Sequence, residues 1–181
     1  QEGLFQHYKA IAEAVDLPII LYNVPGRTGV DMHNDTAIRL ADIPQIVGIK
    51  DATGDIPRGQ ELLEGLKGKN MVVYSGDDAT AAELIQLGAL GNISVTANIA
   101  PKIMSELCAA ALQGDVATAK EKNDQVAKLN NILFCESNPI PVKWALHEME
   151  LIGTGVRLPL TPLAEQYRAP LREELKAAGL I

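Results

Sequence analysis

Two residues of this sequence combine a side chain and a position that suit covalent chemistry on a carbonyl compound. Lys50 ends the apolar run of residues 46–50, and Tyr22 ends a similar run at residues 17–22. A lysine at the end of a buried strand is partly removed from water, which favours its neutral amine, and a neutral amine attacks a ketone to form a Schiff base. A phenol beside it can carry protons in that reaction. The pair therefore predicts a Schiff-base nucleophile, Lys50, with Tyr22 as its proton-handling partner.

Each assignment has a structural alternative. Lys50 can extend its ammonium from the strand end into solvent while its stem packs on apolar neighbours. Tyr22 can cover the edge of the sheet without taking part in chemistry. Arg27 lies in a loop rich in Gly and Pro, where its planar guanidinium suits a substrate carboxylate, but it can also fix that loop through backbone carbonyls.

Two further positions can bring backbone groups close to a small acid. Gly76 has no side chain, so a ligand can approach the main chain closely there. The side chain of Ile93 offers no chemistry, and its position indicates either a backbone hydrogen bond to a ligand or plain core packing. We predict substrate contacts for both residues.

A metal site is not indicated. The three histidines, His7, His33 and His147, show no metal-ligand spacing. Asp77 and Asp78 are adjacent at the start of a predicted helix, where carboxylates usually act as N-caps. We therefore expect no metal site.

These residues must be positioned by an alternation of strands and helices. Apolar runs predict strands at residues 17–22, 46–50, 71–75 and 92–96. Helical periodicity and start signals predict helices at residues 4–15, 34–41 and 57–68, with Asn34 as the N-cap of the second. Further helices are expected after Asp78, from Pro101, after Gly114, at residues 142–149 and from Thr161. Continuous apolar runs favour a parallel sheet buried on both faces, with its functional edge at the carboxyl ends of the strands.

Four β/α units fit either an open doubly wound sheet or half of a (β/α)8 barrel. No G-x-G-x-x-G loop follows a strand, which weakens the nucleotide-binding open sheet. A closed barrel needs about 250 residues, more than the 181 present. Periodicity alone does not decide between them, and it predicts an α/β chain with four β/α units in residues 1–100 and further helices in residues 101–181.

The composition limits which binding partners and which cellular location we expect. The formal net charge is −7 and no Lys- or Arg-rich run occurs, so nucleic acid and anionic membranes are poor partners. No apolar stretch reaches the roughly 20 residues of a membrane span, and no signal-peptide pattern is present. Cys108 and Cys135 are expected as buried thiols, and a cytoplasmic location is predicted. The chain begins at Gln1, directly before an amphipathic helix, and we expect it to be part of a longer protein.

The same residues lie in blocks that resemble the dihydrodipicolinate synthase family of Schiff-base pyruvate lyases. The blocks are Y-N-V-P-G-R-T-G from Tyr22, G-I-K-D-A-T-G from Gly48, Y-S-G-D-D from Tyr74, G-N-I-S-V-T-A-N from Gly91 and N-P-I-P-V-K-W-A-L-H-E-M from Asn138, followed by R-L-P-L-T-P from Arg157. They run in order over essentially the whole chain, which makes the resemblance far more specific than one motif.

The resemblance implies a homotetrameric or dimeric lyase with a (β/α)8 barrel. Residues 1–100 are then the C-terminal half of the barrel, and residues 101–181 are the last barrel helix and a C-terminal helical extension. It implies condensation of pyruvate with L-aspartate-4-semialdehyde in lysine (diaminopimelate) biosynthesis. By motif position, Lys50 is the Schiff-base lysine and Tyr22 the relay tyrosine. Arg27 stands at the mouth of the active site, and the backbone of Ile93 meets pyruvate. No organic cofactor is implied.

The sequence departs from the family pattern in two ways. Asp51 stands where the family usually has glutamate, which keeps the charge. The segment with the first four barrel strands is absent, and with it the paired threonines and the tyrosine that complete the relay. Alternatives are therefore a sister aldolase, such as an N-acetylneuraminate lyase or a keto-deoxy-sugar-acid aldolase, or a non-catalytic fragment. The arginine of P-G-R-T and the N-P-I-P-V-K block favour the synthase.

Overall fold

A computed structural model describes residues 1–181 and divides the chain into two units. Unit 1 is Gln1–Ile93 and unit 2 is Ser94–Ile181. The strands of unit 1 are β1 (Ile19–Asn23), β2 (Ile46–Asp51) and β3 (Val72–Ser75). Its helices are α1 (Glu2–Ala14), α2 (Pro25–Thr28), α3 (Asn34–Leu40), α4 (Ile56–Gly65) and α5 (Ala81–Gln86).

The three strands form one parallel sheet in the order β1-β2-β3, which confirms the predicted parallel arrangement. Tyr22 pairs with Lys50, and Lys50 pairs with Tyr74 on the other side. The register of β1 and β2 shifts by one residue near the start, where Ile19 pairs with Ile46 but Ile20 pairs with Gly48. Beyond this bulge the ladder is regular to the carboxyl ends of the strands.

The two faces of the sheet differ in exposure. Leu21, Ile49 and Val73 lie on one face and are each at most 2% exposed. On the other face Ile20 is 49% exposed and Tyr22 is 42% exposed. The prediction that the strands are buried on both faces is therefore wrong for β1. We call the two surfaces the covered face and the open face.

The predicted fourth strand at residues 92–96 is wrong. Only a single parallel bridge joins Asn92 to Ser75, and residues Thr96–Asn98 form one 3-10 turn. The backbone N–H of Ser75 donates to Gly91 (2.9 Å) and that of Ile93 donates to Ser75 (2.9 Å). Because β3 ends at Ser75, the chain has no further strand residue to pair with and leaves the sheet.

Capping residues mark where the helices begin, and some of them differ from the N-caps predicted from the sequence. Asp55 caps α4 by accepting a hydrogen bond from the N–H of Arg58 (3.1 Å). Asn34 is not an N-cap, because it is already the first residue of α3 and its side-chain amide donates to the carbonyl of Arg58 (3.0 Å). Asp77 and Asp78 lie before the start of α5, and Thr80 takes the cap position.

Unit 2 is helical and contains α6 (Pro101–Leu112), α7 (Val116–Ile132), α8 (Ile140–Glu148) and α9 (Glu165–Ala177). The predicted starts at Pro101 and after Gly114 are confirmed, and Asp115 caps α7 through the N–H of Thr118 (3.0 Å). The core consists of fully buried side chains, among them Leu107, Val126, Leu129, Leu133, Leu171 and Leu175. None of the helices of the chain is both long and apolar enough to cross a membrane.

The two cysteines are not joined in a disulfide, as predicted, but they are half-buried rather than buried. Cys135 follows α7, where partial burial raises the pKa of its thiol. A raised pKa keeps the thiol protonated, which makes it a weak nucleophile.

Candidate active site

Lys50 lies on the open face of the sheet, near the end of the central strand. Its Nζ lies 4.2 Å from the centroid of the Tyr22 ring. The side-chain nitrogen of Lys50 makes no hydrogen bond or ion pair within the chain. The strand pairing explains the contact, since residues opposite each other on adjacent strands point to the same face. The structure thus brings together the two residues that the sequence singles out for chemistry.

Gly76 gives Lys50 the space for this conformation. A Cβ atom at position 76 would lie 2.8 Å from Lys50 Cε, 3.0 Å from Lys50 Cγ and 2.7 Å from the Cβ of Ala52. The N–H of Gly76 already donates to the carbonyl of Asp51 (2.7 Å). To a ligand Gly76 can therefore offer only its carbonyl oxygen, and its clearest contribution is clearance for the lysine stem.

Tyr74 is a member of this row that the sequence analysis did not single out. It pairs with Lys50 from the side opposite Tyr22, is partly exposed, and its hydroxyl makes no hydrogen bond within the chain. Strand alternation is the signal that identifies it, because Tyr74 follows Val72 by two residues on the same face. The open face therefore carries a row of three, Tyr22, Lys50 and Tyr74.

Arg27 lies on α2, the short helix directly after β1, and is exposed. The helix ends at Gly29, whose φ of 68° is in the left-handed region and whose N–H donates to Pro25 (3.0 Å). The hydroxyl of Thr28 donates to the carbonyl of Val30 (2.9 Å) and closes the following turn. The loop at the carboxyl end of β1 is thus a defined turn that presents the guanidinium of Arg27.

A polar network on the covered face fixes this loop. Asn23 donates to Asp31 (2.9 Å) and accepts from the N–H of Met32 (3.0 Å). Arg58 binds Asp31 with two parallel hydrogen bonds of 2.7 and 2.8 Å and also donates to the carbonyl of Met32 (2.6 Å). The Arg58 guanidinium lowers the pKa of the Asp31 carboxyl to about 2. Such bidentate pairs are strong and geometrically specific.

Asp51 follows Lys50 but lies on the covered face, 6% exposed. It accepts hydrogen bonds from the N–H (3.2 Å) and hydroxyl (3.1 Å) of Thr53. Burial raises the pKa of this carboxyl, and the Thr53 hydrogen bonds partly offset the rise. The residue where the sequence departs from the family pattern therefore acts within the buried turn and does not face Lys50.

Ile93 lies beside the end of β3 with 43% of its surface exposed, so plain core packing does not describe it. The N–H of Ile93 donates to the carbonyl of Ser75 (2.9 Å), which leaves the carbonyl oxygen as the backbone group that Ile93 can offer to a ligand.

The residue before Ile93, Asn92, donates a hydrogen bond to the buried carboxylate of Asp78 (2.7 Å). Asp77 accepts from the N–H (3.1 Å) and hydroxyl (2.7 Å) of Thr80. Both aspartates thus hold turns in place, and no group of three His, Cys, Asp or Glu side chains is arranged to hold a metal ion.

The sequence as a whole agrees with this local picture. The family model described as the dihydrodipicolinate synthetase family matches residues 1–178. The chain belongs to this family. A 4-hydroxy-tetrahydrodipicolinate synthase of Marinobacter nauticus is 61% identical over 182 residues, which cover 100% of this chain and 62% of that relative. The chain therefore spans less than two thirds of the length of such relatives.

Solved structures of the dihydrodipicolinate synthetase family show the same fold. The chloride-inhibited dihydrodipicolinate synthase from Acinetobacter baumannii, solved in complex with pyruvate, is 74% identical and superposes with a TM-score of 0.97, covering 99% of this chain and 62% of that one. A monomeric dihydrodipicolinate synthase variant is 43% identical with a TM-score of 0.95, covering 99% and 61%. The predicted fold class, an α/β part of a (β/α)8 barrel, is confirmed.

Proposed function

We propose that the protein is a lyase that condenses pyruvate with L-aspartate-4-semialdehyde through a Schiff base on Lys50. The observation that carries the proposal is the geometry at Lys50. Its amine has no ion-pair partner, lies 4.2 Å from the centroid of the Tyr22 ring, and stands on an open face near the carboxyl end of a parallel strand. The names of the relatives support the same activity.

The chemistry follows from these groups. The neutral amine of Lys50 attacks the ketone carbon of pyruvate to form a carbinolamine, which loses water to give the imine. Proton transfers accompany both steps, and Tyr22, whose ring contacts the amine, is the proposed proton carrier. Arg27 is the proposed partner of a substrate carboxylate, since a guanidinium binds carboxylates in a planar, bidentate manner. The carbonyl oxygens of Ile93 and Gly76 are the proposed backbone contacts, as acceptors for the hydroxyl of the carbinolamine.

Assembly and pathway belong to the same proposal. Membership of the family supports a homotetramer or dimer and a place in lysine (diaminopimelate) biosynthesis, although one related structure is that of a monomeric variant. No nucleic-acid or membrane partner is proposed, and the proposed location is the cytoplasm. The roles of Lys50, Tyr22, Arg27, Ile93 and Gly76 remain predictions.

The test is reductive trapping. The protein is incubated with pyruvate and borohydride, its intact mass is measured, and the modified peptide is mapped. The expected result is one reduced pyruvate on Lys50 in a chain extended to the full length of its relatives. The Lys50→Ala variant loses the adduct. A matched variant, Lys67→Ala, removes a lysine with 72% of its side chain exposed on the same unit and keeps the adduct.

Two outcomes would contradict the proposal. An adduct on another lysine, or none at all in a folded full-length protein, would show that Lys50 is an ordinary strand-end lysine. An adduct together with turnover of a sugar-acid substrate, but not of L-aspartate-4-semialdehyde, would retain the Schiff base and replace the synthase by a sister aldolase. The same trapping on the 181-residue chain alone shows whether these residues suffice to activate the lysine.

A further inference from the structure

A cavity of about 210 Å³ lies in unit 2, between α8, α9 and the loop that joins them. It is distinct from the row of Tyr22, Lys50 and Tyr74, which belongs to unit 1. Three cationic side chains line it, Lys143, Arg168 and Arg172, together with one carboxylate. In a chain with a formal net charge of −7, such a concentration of positive charge around one concave site needs an explanation.

Only one of the three cations is neutralised. Arg172 donates from Nε and Nη2 to the same oxygen of Glu148, each at 2.6 Å. Arg168 uses its Nε to bind the carbonyl of Leu163 (3.0 Å), and its two terminal amino groups have no partner in the chain. Lys143 is half-buried and makes no hydrogen bond or ion pair. Lys143 and Arg168 therefore give the cavity two positive charges without a counter-charge.

The remaining wall is apolar and held in place. The half-buried indole of Trp144 lies 5.3 Å from the Arg172 guanidinium carbon, so the ion pair of Arg172 with Glu148 also braces the ring. Leu163, whose carbonyl orients Arg168, is 1% exposed. A charged fork and an aromatic surface thus border one cavity, and each is oriented by a contact that does not involve a ligand.

We propose that this cavity binds a small carboxylic acid with a compact apolar body. The carboxylate accepts hydrogen bonds from the free terminal groups of Arg168 and from Lys143, since a guanidinium presents parallel donors to two carboxylate oxygens. The apolar body packs on Trp144. The cavity volume of about 210 Å³ is below the roughly 300 Å³ at which pockets for larger ligands begin, which favours a small ligand.

The test uses benzoate and its uncharged analogue benzamide as probes on the full-length protein at constant ionic strength. Trp144 is the one tryptophan among these 181 residues, so indole fluorescence reports occupancy, and a Trp144→Phe variant assigns the signal. The expected result is a saturable change with benzoate and at least tenfold weaker binding of benzamide. Equal binding of the two probes, or no saturable change with benzoate, would overturn the proposal.

Charge variants locate the carboxylate. Lys143→Met and Arg168→Gln keep much of the side-chain volume, and each is expected to weaken benzoate binding by about 10-fold or more, as the loss of a charge-assisted hydrogen bond does. Lys102→Met is the matched control, because Lys102 is 87% exposed on α6 and does not line the cavity. With circular dichroism showing all variants folded, unchanged affinity in both cavity variants would mean that the carboxylate is not held there.

Discussion

The two faces of the sheet in unit 1 differ in whether their polar side chains make hydrogen bonds. On the covered face the side chains of Asn23, Asp51 and Ser75 each make hydrogen bonds within the chain. On the open face Tyr22 and Lys50 share a ring contact, and neither makes a hydrogen bond. These residues occupy neighbouring positions on the same strands, so the difference comes from the face and not from the place along the chain.

The contrast indicates that the residues of the covered face position the loops, whereas those of the open face are available for chemistry. A buried polar group without a partner is costly, so the covered face binds all its polar side chains in fixed arrangements. Those arrangements hold the loops after β1, β2 and β3. The open face keeps the amine of Lys50 and two phenols available for a ligand. Changes on the open face should therefore alter chemistry, and changes on the covered face should alter stability.

The sharpest test compares the two tyrosines that flank Lys50. Tyr22→Phe removes the hydroxyl of the ring that contacts the amine and is expected to slow turnover by about 10² to 10⁴-fold, the range of a lost general acid–base group. Tyr74→Phe makes the same change on the other neighbouring strand and is expected to slow turnover less than about tenfold. Steady-state kinetics on the folded full-length variants measures both. Equal losses would mean that the ring contact with Lys50 does not identify the relay residue.

A smaller loss is expected when the space around Lys50 is filled. In Gly76→Ala the new Cβ would lie 2.8 Å from Lys50 Cε, so the amine must shift, and we expect the rate of reductive trapping to fall by about 10 to 100-fold. Gly3→Ala is the control, because a Cβ there meets nothing within 4 Å. If adding Ala52→Gly restores the rate fully, the crowding acts through Ala52 and not through the lysine.

The smallest effect is expected on the covered face and depends on pH. The pKa of Asp31 is lowered to about 2 in the folded chain from an ordinary value of 3.8, so its ionised form stabilises the fold above about pH 4 and this stabilisation is lost as pH falls towards 2. Because Asp31 is 35% exposed, solvent screening limits the contribution to about 1 kcal/mol. Asp31→Asn should reduce the free energy of unfolding by that amount at pH 6 and flatten its decline between pH 4 and 2.

Urea unfolding at pH 6 and pH 3 measures this difference. Asp35→Asn provides the comparison, since Asp35 is exposed in the first turn of α3 and makes no ion pair. Turnover at pH 7 should be nearly unchanged in both variants. A large loss of turnover in Asp31→Asn, without a loss of stability, would break the division between the two faces.

The contact between Tyr22 and Lys50 on the open face could be predicted from the sequence, but the hydrogen bonds of the covered face could not. Lys50 and Tyr22 end successive parallel strands, and strand geometry alone places such residues side by side. The pairing of Asp31 with Arg58 joins positions 27 residues apart through a loop and a helix start, and no periodicity encodes it. The packing of Gly76 against Lys50 likewise depends on how the turn after β3 approaches β2.

The errors in the fold have equally local causes. An apolar run at residues 92–96 satisfies the strand pattern, but β3 ends after four residues and only Asn92 finds a partner. Asn34 is a favoured N-cap residue, yet the chain enters the helix one position earlier, at His33, and the Asn34 amide binds Arg58 instead. In both cases a tertiary contact decided between alternatives that the local sequence leaves open.

The bulge at the start of β1 and β2 sets which residues of the two strands pair. The contact between Tyr22 and Lys50 therefore depends on the lengths of these strands as well as on their residues. If the pairing of Ile19 with Ile46 continued without the shift, Tyr22 would stand opposite Ile49, and Lys50 opposite Asn23. A single-residue deletion or insertion between Val47 and Lys50 would therefore separate Lys50 from Tyr22 even if every named residue were kept. The site should accept many substitutions around it but no change of length within these two strands.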